Sequence, residues 1–206
     1  MGYENYSSNV TANNKWVQSY QQIYQQYSNV KPRKEDLVYA ERNQSSITVN
    51  ILSLLTLGHY GVKQYRKQVK SVNDMSKLLF GDSAKKITYS EKIVGISMPL
   101  FFIGGLAIIF FALMSLIYTS FVFPLLAISS IVVMVISLLI WTKEYLKIVK
   151  QMKYQLIPIA VMYGRFDIAE LLDSYSIYSQ GGNKIIENAY NTLIDKHNER
   201  VRQYYS

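Results

Sequence analysis

Residues 93–142 read IVGISMPLFFIGGLAIIFFALMSLIYTSFVFPLLAISSIVVMVISLLIWT, fifty positions without an Asp, Glu, Lys, Arg or His. One helix of that length would reach roughly 75 Å at ~1.5 Å per residue, more than twice the ~30 Å hydrocarbon core of a bilayer. The stretch must therefore double back. Tyr118, Thr119 and Ser120 interrupt the aliphatic run, and Pro124 suits the first turn of a returning helix, where a missing N–H leaves no intrahelical bond unmade. The pattern predicts two membrane-spanning helices, about 93–118 and 121–141, joined by a very short loop. The expected fold class is an all-α integral membrane protein: a two-span transmembrane helical hairpin with flanking amphipathic and extramembrane helices. Three regions follow, namely 1–92, the hairpin 93–142, and a C-terminal helical extension 143–206.

The flanks are basic. Residues 1–92 hold 13 Lys/Arg against 7 Asp/Glu, and residues 143–206 hold 9 against 7, which accounts for the net charge of +8. A hairpin puts both flanks on one side, and Lys85, Lys86, Lys92, Lys143 and Lys147 crowd its open end. By the positive-inside tendency that side is the matrix of a mitochondrion or the cytoplasm of a bacterium. The same lysines suit contact with anionic phospholipid headgroups, worth ~1 kcal/mol for each well-placed charge.

Within the hairpin, Gly105 and Ala112 on the first span and Ser130 and Ser137 on the second recur at seven-residue spacing. If the turn centres near Phe121, Gly105 faces Ser137 and Ala112 faces Ser130. Small residues at matching heights let two helix backbones approach closely in lipid. Pro99 either begins the first helix proper or kinks it. Trp141, Tyr118 and Phe121 fall at the span ends, where amphipathic rings prefer the interface.

Outside the hairpin the reading is helical throughout. Residues 1–14 are polar and expected to be disordered unless held against a partner. In a helix over about 15–28, Trp16, Tyr20, Tyr24 and Tyr27 line one side and Gln residues fill the rest, which suits either a helix lying at the headgroup level or against the protein's own tail, or a partner-docking stripe. Lys31-Pro32 breaks the chain, and the charged run 33–36 can open another helix. Residues 44–60 then form a second apolar stretch with Ile47, Ile51, Leu54, Leu55 and Val62 on one face. Its polar positions and shortness favour a buried or interfacial amphipathic helix over a third crossing. A basic helix over about 62–80 follows, with Tyr65, Val69, Val72, Met75 and Leu79 inward, ended by Gly81. Asp82 or Ser83 is expected to open the first span. After Trp141 the helix continues with Tyr145, Ile148, Val149 and Met152 on one side, Glu144 pairing with Lys147, and Pro158 ending or bending it. Asn183 is expected to cap a last helix whose stripe is Ile186, Ala189, Tyr190, Leu193, His197 and Val201.

The chemistry that would mark an enzyme or a conduction path is not legible. No ionisable residue lies at membrane depth, where proton relays and ion paths need one. The chain has no cysteine and two histidines, His59 and His197, without metal-ligand spacing. There is no P-loop, dinucleotide fingerprint or nucleophile elbow. Asp167, Glu170 and Asp173 are read as solvating a helix flank. No catalytic residue, cofactor, metal, nucleic acid or small-molecule substrate is expected. The first 40 residues lack the apolar core of a cleaved secretory signal, and any targeting address is expected to be retained.

Two resemblances add to this reading. Residues 157–172, IPIAVMYGRFDIAELL, resemble a piece of an ankyrin repeat. Their Pro-to-Gly interval is shorter than that pattern and no second copy occurs, so an ordinary helix-turn-helix is expected. Across its length the chain, Tyr/Asn/Gln-rich, Cys-free, basic and two-span, resembles lineage-specific supernumerary subunits of protist mitochondrial inner-membrane complexes. That resemblance implies a non-catalytic accessory structural subunit of a respiratory complex or ATP synthase, with other subunits and membrane lipids as partners and both termini in the matrix. The alternative is a two-span effector, similar in outline to small bacterial two-helix effectors, that oligomerises into a pore or disrupts a bilayer. A membrane-bending hairpin is the third reading, should both spans be too short to cross.

Overall fold

The longest element, Val122–Met162, runs for 41 residues without a break, about 60 Å of helix. It carries both the returning half of the uncharged stretch and the basic extension beyond Trp141. In the computed structural model, which describes residues 37–177 and 182–206 together with Gln18, Gln21, Gln22 and Gln25, the described elements are helices and no strand occurs among them. In chain order they are α1 (Ser46–Leu55), α2 (His59–Phe80), a short 3-10 turn (Gly81–Ser83), α3 (Glu91–Ile117), α4 (Val122–Met162), α5 (Phe166–Ser174) and α6 (Gly182–Tyr205).

α3 and α4 form the expected hairpin, joined across residues 118–121. Ser90 caps α3 by accepting the Ile93 N–H at 3.4 Å, and Glu91 in the first turn complements the helix dipole. The start is therefore later than Asp82 or Ser83, because residues 84–90 run non-helically along α4. Asn73 Oδ1 accepts the Ile87 N–H at 2.8 Å, and Gln151 exchanges two 2.9 Å hydrogen bonds with the Thr88 backbone. Pro99 lies well inside α3, so it does not begin the helix.

Pro158 does not end α4 either. The stop is Gly164, in the left-handed region at φ 67°, with Arg165 N–H donating to Ala160 O at 2.8 Å and Gly164 N–H to Val161 O at 3.0 Å. Those two bonds satisfy the last carbonyls of the helix. α5 turns back from this corner, so the first helix of the ankyrin-like stretch is the end of a long rod and not a separate repeat helix.

Beyond Trp141 the helices build a body with its own core. α4 contributes Ile148, Met152, Leu156 and Ile159, α2 contributes Val69, Val72, Met75 and Leu79, α5 contributes Ala169 and Leu172, and α6 contributes Tyr190, Leu193 and Ile194. Burying one such aliphatic side chain stabilises by about 1.5–3 kcal/mol, so this body has a driving force independent of lipid. The inward faces expected for residues 62–80, for the start of the extension and for the last helix are the buried ones, with Tyr65 and Tyr145 half-buried at the edge.

Residues 37–45 form an extended strap instead of continuing a helix opened at 33–36. Side chains of α6 hold its backbone. Asn198 Oδ1 accepts from Ala40 N–H and its Nδ2 donates to Ala40 O, both at 2.9 Å. Asn191 accepts from Asn43 N–H at 3.0 Å, and Tyr190 Oη donates to Glu41 O at 2.7 Å. A strap whose main-chain groups are met this way has no need of helical hydrogen bonds. It also ties the N-terminal flank to the C-terminal one in a single body.

Candidate functional site

The feature that distinguishes this molecule is a large apolar surface that its own fold leaves uncovered. α3 and α4 each contain an 18-residue window of mean hydropathy 2.7, and only 6% of each window is buried inside the protein. Both helices are long and apolar enough to cross a membrane. A helix apolar all round is ordinarily either buried in a core or surrounded by lipid. Neither a soluble core nor a single rod describes residues 93–142. Exposed apolar patches of more than a few hundred Å² on a water-soluble monomer mark an interaction surface.

Between the two helices the contact is close at one height. A Cβ added to Gly104 would meet the Met134 Cβ at 3.1 Å and its Cα at 3.3 Å, whereas at Gly105 the nearest atom is Met134 Sδ at 3.9 Å. No atom of Ser137 comes within 4 Å of that Gly105 position. The Gly105–Ser137 register is therefore replaced by one a helical turn away. It centres on Thr119, because α3 stops at Ile117 and α4 starts at Val122. Ser137 is buried, Gly105 and Ser130 are half-buried, and Ala112 is exposed. The hydroxyls of Ser115, Ser129 and Ser130 donate to Ala112, Leu125 and Leu126 carbonyls of their own helices at 2.7–2.9 Å.

Aromatic rings stand at both ends. Tyr118 and Phe123 pack at 5.7 Å at the turn, and Trp141, Tyr145 and Tyr65 cluster at the other end, with Tyr65–Trp141 at 5.1 Å and Trp141–Tyr145 at 6.1 Å. Phe123 to Trp141 is eighteen residues of helix, roughly 27 Å, close to the ~30 Å hydrocarbon thickness. Lys92, Lys143 and Lys147 are exposed just past this end, with Glu144 within 4.0 Å of Lys147. Lys85 and Lys86, also exposed, stand farther away. Lys85 O accepts from Gln155 Nε2, which puts it roughly 18 Å farther along α4 than Lys143.

The stretch 44–60 divides at a corner. Leu57 and Gly58 both have positive φ, 50° and 84°, and separate α1 from α2. Thr56 Oγ1 accepts the Tyr60 N–H at 3.0 Å and donates to Leu52 O at 2.7 Å, bridging the two helix ends. His59, exposed, bonds the Thr56 carbonyl through Nδ1 at 3.0 Å. The corner packs onto α3: a Cβ on Gly58 would meet Phe102 at 2.9 Å, and Leu57 faces Ile103, Leu106 and Phe110 across an apolar recess. α1 has 10 residues, about 15 Å, too short to cross. Its Ile47, Ile51, Leu54 and Leu55 are exposed, Ile47 to 71% and Leu55 to 73%, while Val62 of the expected stripe belongs to α2 and is buried. Both ends of the segment are held by the helical body, since Asn43 is bonded to Asn191 and Tyr65 packs on Tyr145.

Behind this corner lies a cavity of about 410 Å³ walled by the strap, α1, α2, α3, α4 and α6. Its polar lining includes Asn43, Gln44, Asn50, Gln64 and Gln68, with Tyr65, Trp141, Tyr145 and Tyr190 as rings and Glu187 as the single charged residue among the described lining residues. Ser53, in the same wall, is buried with its Oγ unbonded among the described residues. Burial pushes the Tyr65 phenol well above its usual range, and Tyr145 and the Glu187 carboxylate push it the same way. A larger cleft beneath residues 84–90 is lined by charges of both signs, Arg66 and Glu91 among them at 3.9 Å from each other.

His197 is buried and fully bonded. Nε2 lies 2.7 Å from Val38 O, which can only accept, so Nε2 carries the proton and Nδ1 accepts from Tyr163 Oη at 2.8 Å. Burial lowers its pKa, and Arg200 adds to that. Asp167, Glu170 and Asp173 are exposed, and Asp167 forms a two-bond pair with Arg165 at 2.6 and 2.9 Å. Among the described residues no group of three His, Cys, Asp or Glu is arranged to hold a metal ion. The docking stripe Trp16, Tyr20, Tyr24 and Tyr27 lies outside the described residues, as do residues 1–14. Gln18, Gln21, Gln22 and Gln25 of that helix are helical and exposed.

Sequence reasoning missed the cavity and the strap, for which the paired asparagines flanking the buried α6 stripe were the available signal. No protein-family model matches this chain, and no curated protein or solved structure matches it.

Proposed function

We propose that the protein is a non-catalytic, membrane-embedded accessory subunit, in which α3 and α4 cross the bilayer and hold a folded helical body against one face of it. The observation that carries this reading is the apolar surface of both helices, in each of which only 6% of the eighteen-residue apolar window is buried by the chain itself. Lipid and neighbouring transmembrane helices are the surroundings in which such a surface is stable. Because α4 continues from the apolar stretch into the body without a break, the hairpin and the body behave as one rigid piece. α1 lies in the interface, its exposed aliphatic face toward acyl chains, with the Leu57–Gly58 corner against α3.

The basic open end favours a matrix or cytoplasmic location for both flanks. The compositional resemblance favours the mitochondrial inner membrane, with a respiratory complex or ATP synthase as host and the matrix side for both termini. The pore-forming reading is less well supported, since residues 93–142 carry no charged side chain and Ser115, Ser129 and Ser130 donate their hydroxyl protons to their own helices. Membrane bending by a half-inserted hairpin sits poorly with helices of 27 and 41 residues.

Purification of the tagged chain from native membranes in mild detergent tests the assignment. A fixed stoichiometric set of co-migrating membrane proteins is the expected result. Recovery solely as homo-oligomers that release dye from liposomes would replace it with the effector reading.

A further inference from the structure

We propose that the cavity between α1, α2, α4 and α6 binds an alkylammonium group, with Glu187 as counter-ion and Trp141, Tyr65 and Tyr145 as the aromatic wall. Its volume, about 410 Å³, lies within the ~300–1,000 Å³ usual for ligand sites. The chemistry of the lining selects the sign of the ligand. Among the described lining residues there is no Lys or Arg, and the only charge is the carboxylate of Glu187, half-buried and without an ion pair among the described residues. A partly desolvated carboxylate attracts a cation, and the faces of Trp and Tyr rings attract it further, most strongly for ammonium groups that hold water weakly. The side-chain amides of Asn50, Gln64 and Gln68 offer donors and acceptors for whatever polar group the ammonium carries.

The position names two sources. Trp141 and Tyr65 stand where the apolar stretch ends, so a phosphatidylcholine or phosphatidylethanolamine headgroup lies within reach; this source rests on the bilayer reading above. A soluble amine is the other source and needs no membrane.

Full-length protein in which Trp16 is replaced by Phe leaves Trp141 as the single tryptophan. Tetramethylammonium chloride, titrated against sodium chloride at constant ionic strength in a maltoside detergent, is expected to change Trp141 emission saturably. Glu187→Gln, with an unchanged melting temperature, is expected to raise the half-saturation concentration about tenfold, the order for losing one charged partner. In nanodiscs, loss of the response with phosphatidylcholine but not with phosphatidylglycerol assigns the site to a lipid headgroup, and persistence in both assigns it to a soluble amine. Absence of a saturable response in both detergent and phosphatidylglycerol discs overturns the proposal. A response that Glu187→Gln leaves unchanged overturns it equally. If α3 and α4 do not cross a bilayer, the detergent arm still reads binding, so the two failures are separable.

Discussion

Gly104 seats α3 against α4 so closely that a Cβ there would stand 3.1 Å from the Cβ of Met134 and 3.3 Å from its Cα. In the bilayer proposed above the hydrophobic effect would not hold two helices together, so this approach, and the dispersion contacts it permits, would carry the hairpin. Gly104→Ala is expected to cost about 1 kcal/mol or more, because the atoms in the way are the Cβ, Cα and N of Met134, which no rotamer change can swing aside. Gly105→Ala, one residue on, is expected to be neutral or slightly stabilising. Thermal unfolding in detergent compares them, and a lower midpoint for Gly105→Ala would return the closest approach to the register with Ser137.

Asn198 bonds both backbone groups of Ala40. Asn198→Leu removes both partners at once and is expected to destabilise the strap by about 1–3 kcal/mol. Hydrogen exchange checks this locally: amides of residues 37–45 should lose protection while those of α4 between Ile148 and Leu156 keep it. Equal loss in both regions would mean that the strap is not a separable unit.

The helix stop provides a paired test. Gly164→Ala places a side chain at φ 67° and is expected to cost about 1 kcal/mol, although nothing lies within 4 Å of the added Cβ. Pro158→Ala restores an N–H to the Tyr154 carbonyl inside the helix and is expected to leave stability unchanged or raise it. Circular dichroism melts separate the two, and a destabilised Pro158→Ala alongside a neutral Gly164→Ala would reverse the assignment.

His197 makes the stability of the body depend on pH. Its pKa in the folded protein is lowered by burial and by Arg200 on its own helix, against an upward pull from the Val38 carbonyl and from Asp74 on α2, while Tyr163, just past the end of α4, faces Nδ1. The unfolded chain therefore binds the proton more readily. The stabilisation is complete above about pH 6.5, the ordinary histidine value, and is lost as pH falls from there through the folded-state pKa. The slope is expected to be at most about 1.4 kcal/mol per pH unit from this group. Melts between pH 8 and pH 5 should show it, and a midpoint that rises on acidification through that window would contradict the assignment of a neutral, doubly bonded ring.

Much of this was legible because apolar periodicity reports burial directly. The stripe Ile186, Ala189, Tyr190, Leu193, His197 and Val201 is the buried face of α6, and the hairpin bounds at 93, 118 and 121 lie within a few residues of helix ends, while 141 falls inside α4, which runs on to Met162. What was not legible depends on tertiary partners. Nothing local makes residues 37–45 a strap; the asparagines that hold it are some 150 residues away. Pro158 reads as a breaker, yet a proline surrounded by packed neighbours is tolerated, and the φ of Gly164 decides the stop. The hairpin register shifted by a turn because counting from Phe121 misplaced the centre of a loop whose helices end at Ile117 and begin at Val122. The cavity is assembled from six segments, and no window of sequence contains it.

The central claim is that residues 93–142 cross a bilayer and return, and the absence of cysteine makes it directly measurable, since each introduced thiol is the only one. Thr119→Cys, Lys85→Cys, Ser206→Cys and Ile109→Cys variants, in sealed native membrane vesicles of known orientation, are treated with a membrane-impermeant maleimide before and after permeabilisation. Lys85→Cys and Ser206→Cys should react from one side, Thr119→Cys only from the other, and Ile109→Cys from neither. Labelling of Thr119→Cys from the same side as Ser206→Cys, or full labelling of Ile109→Cys, would contradict the account.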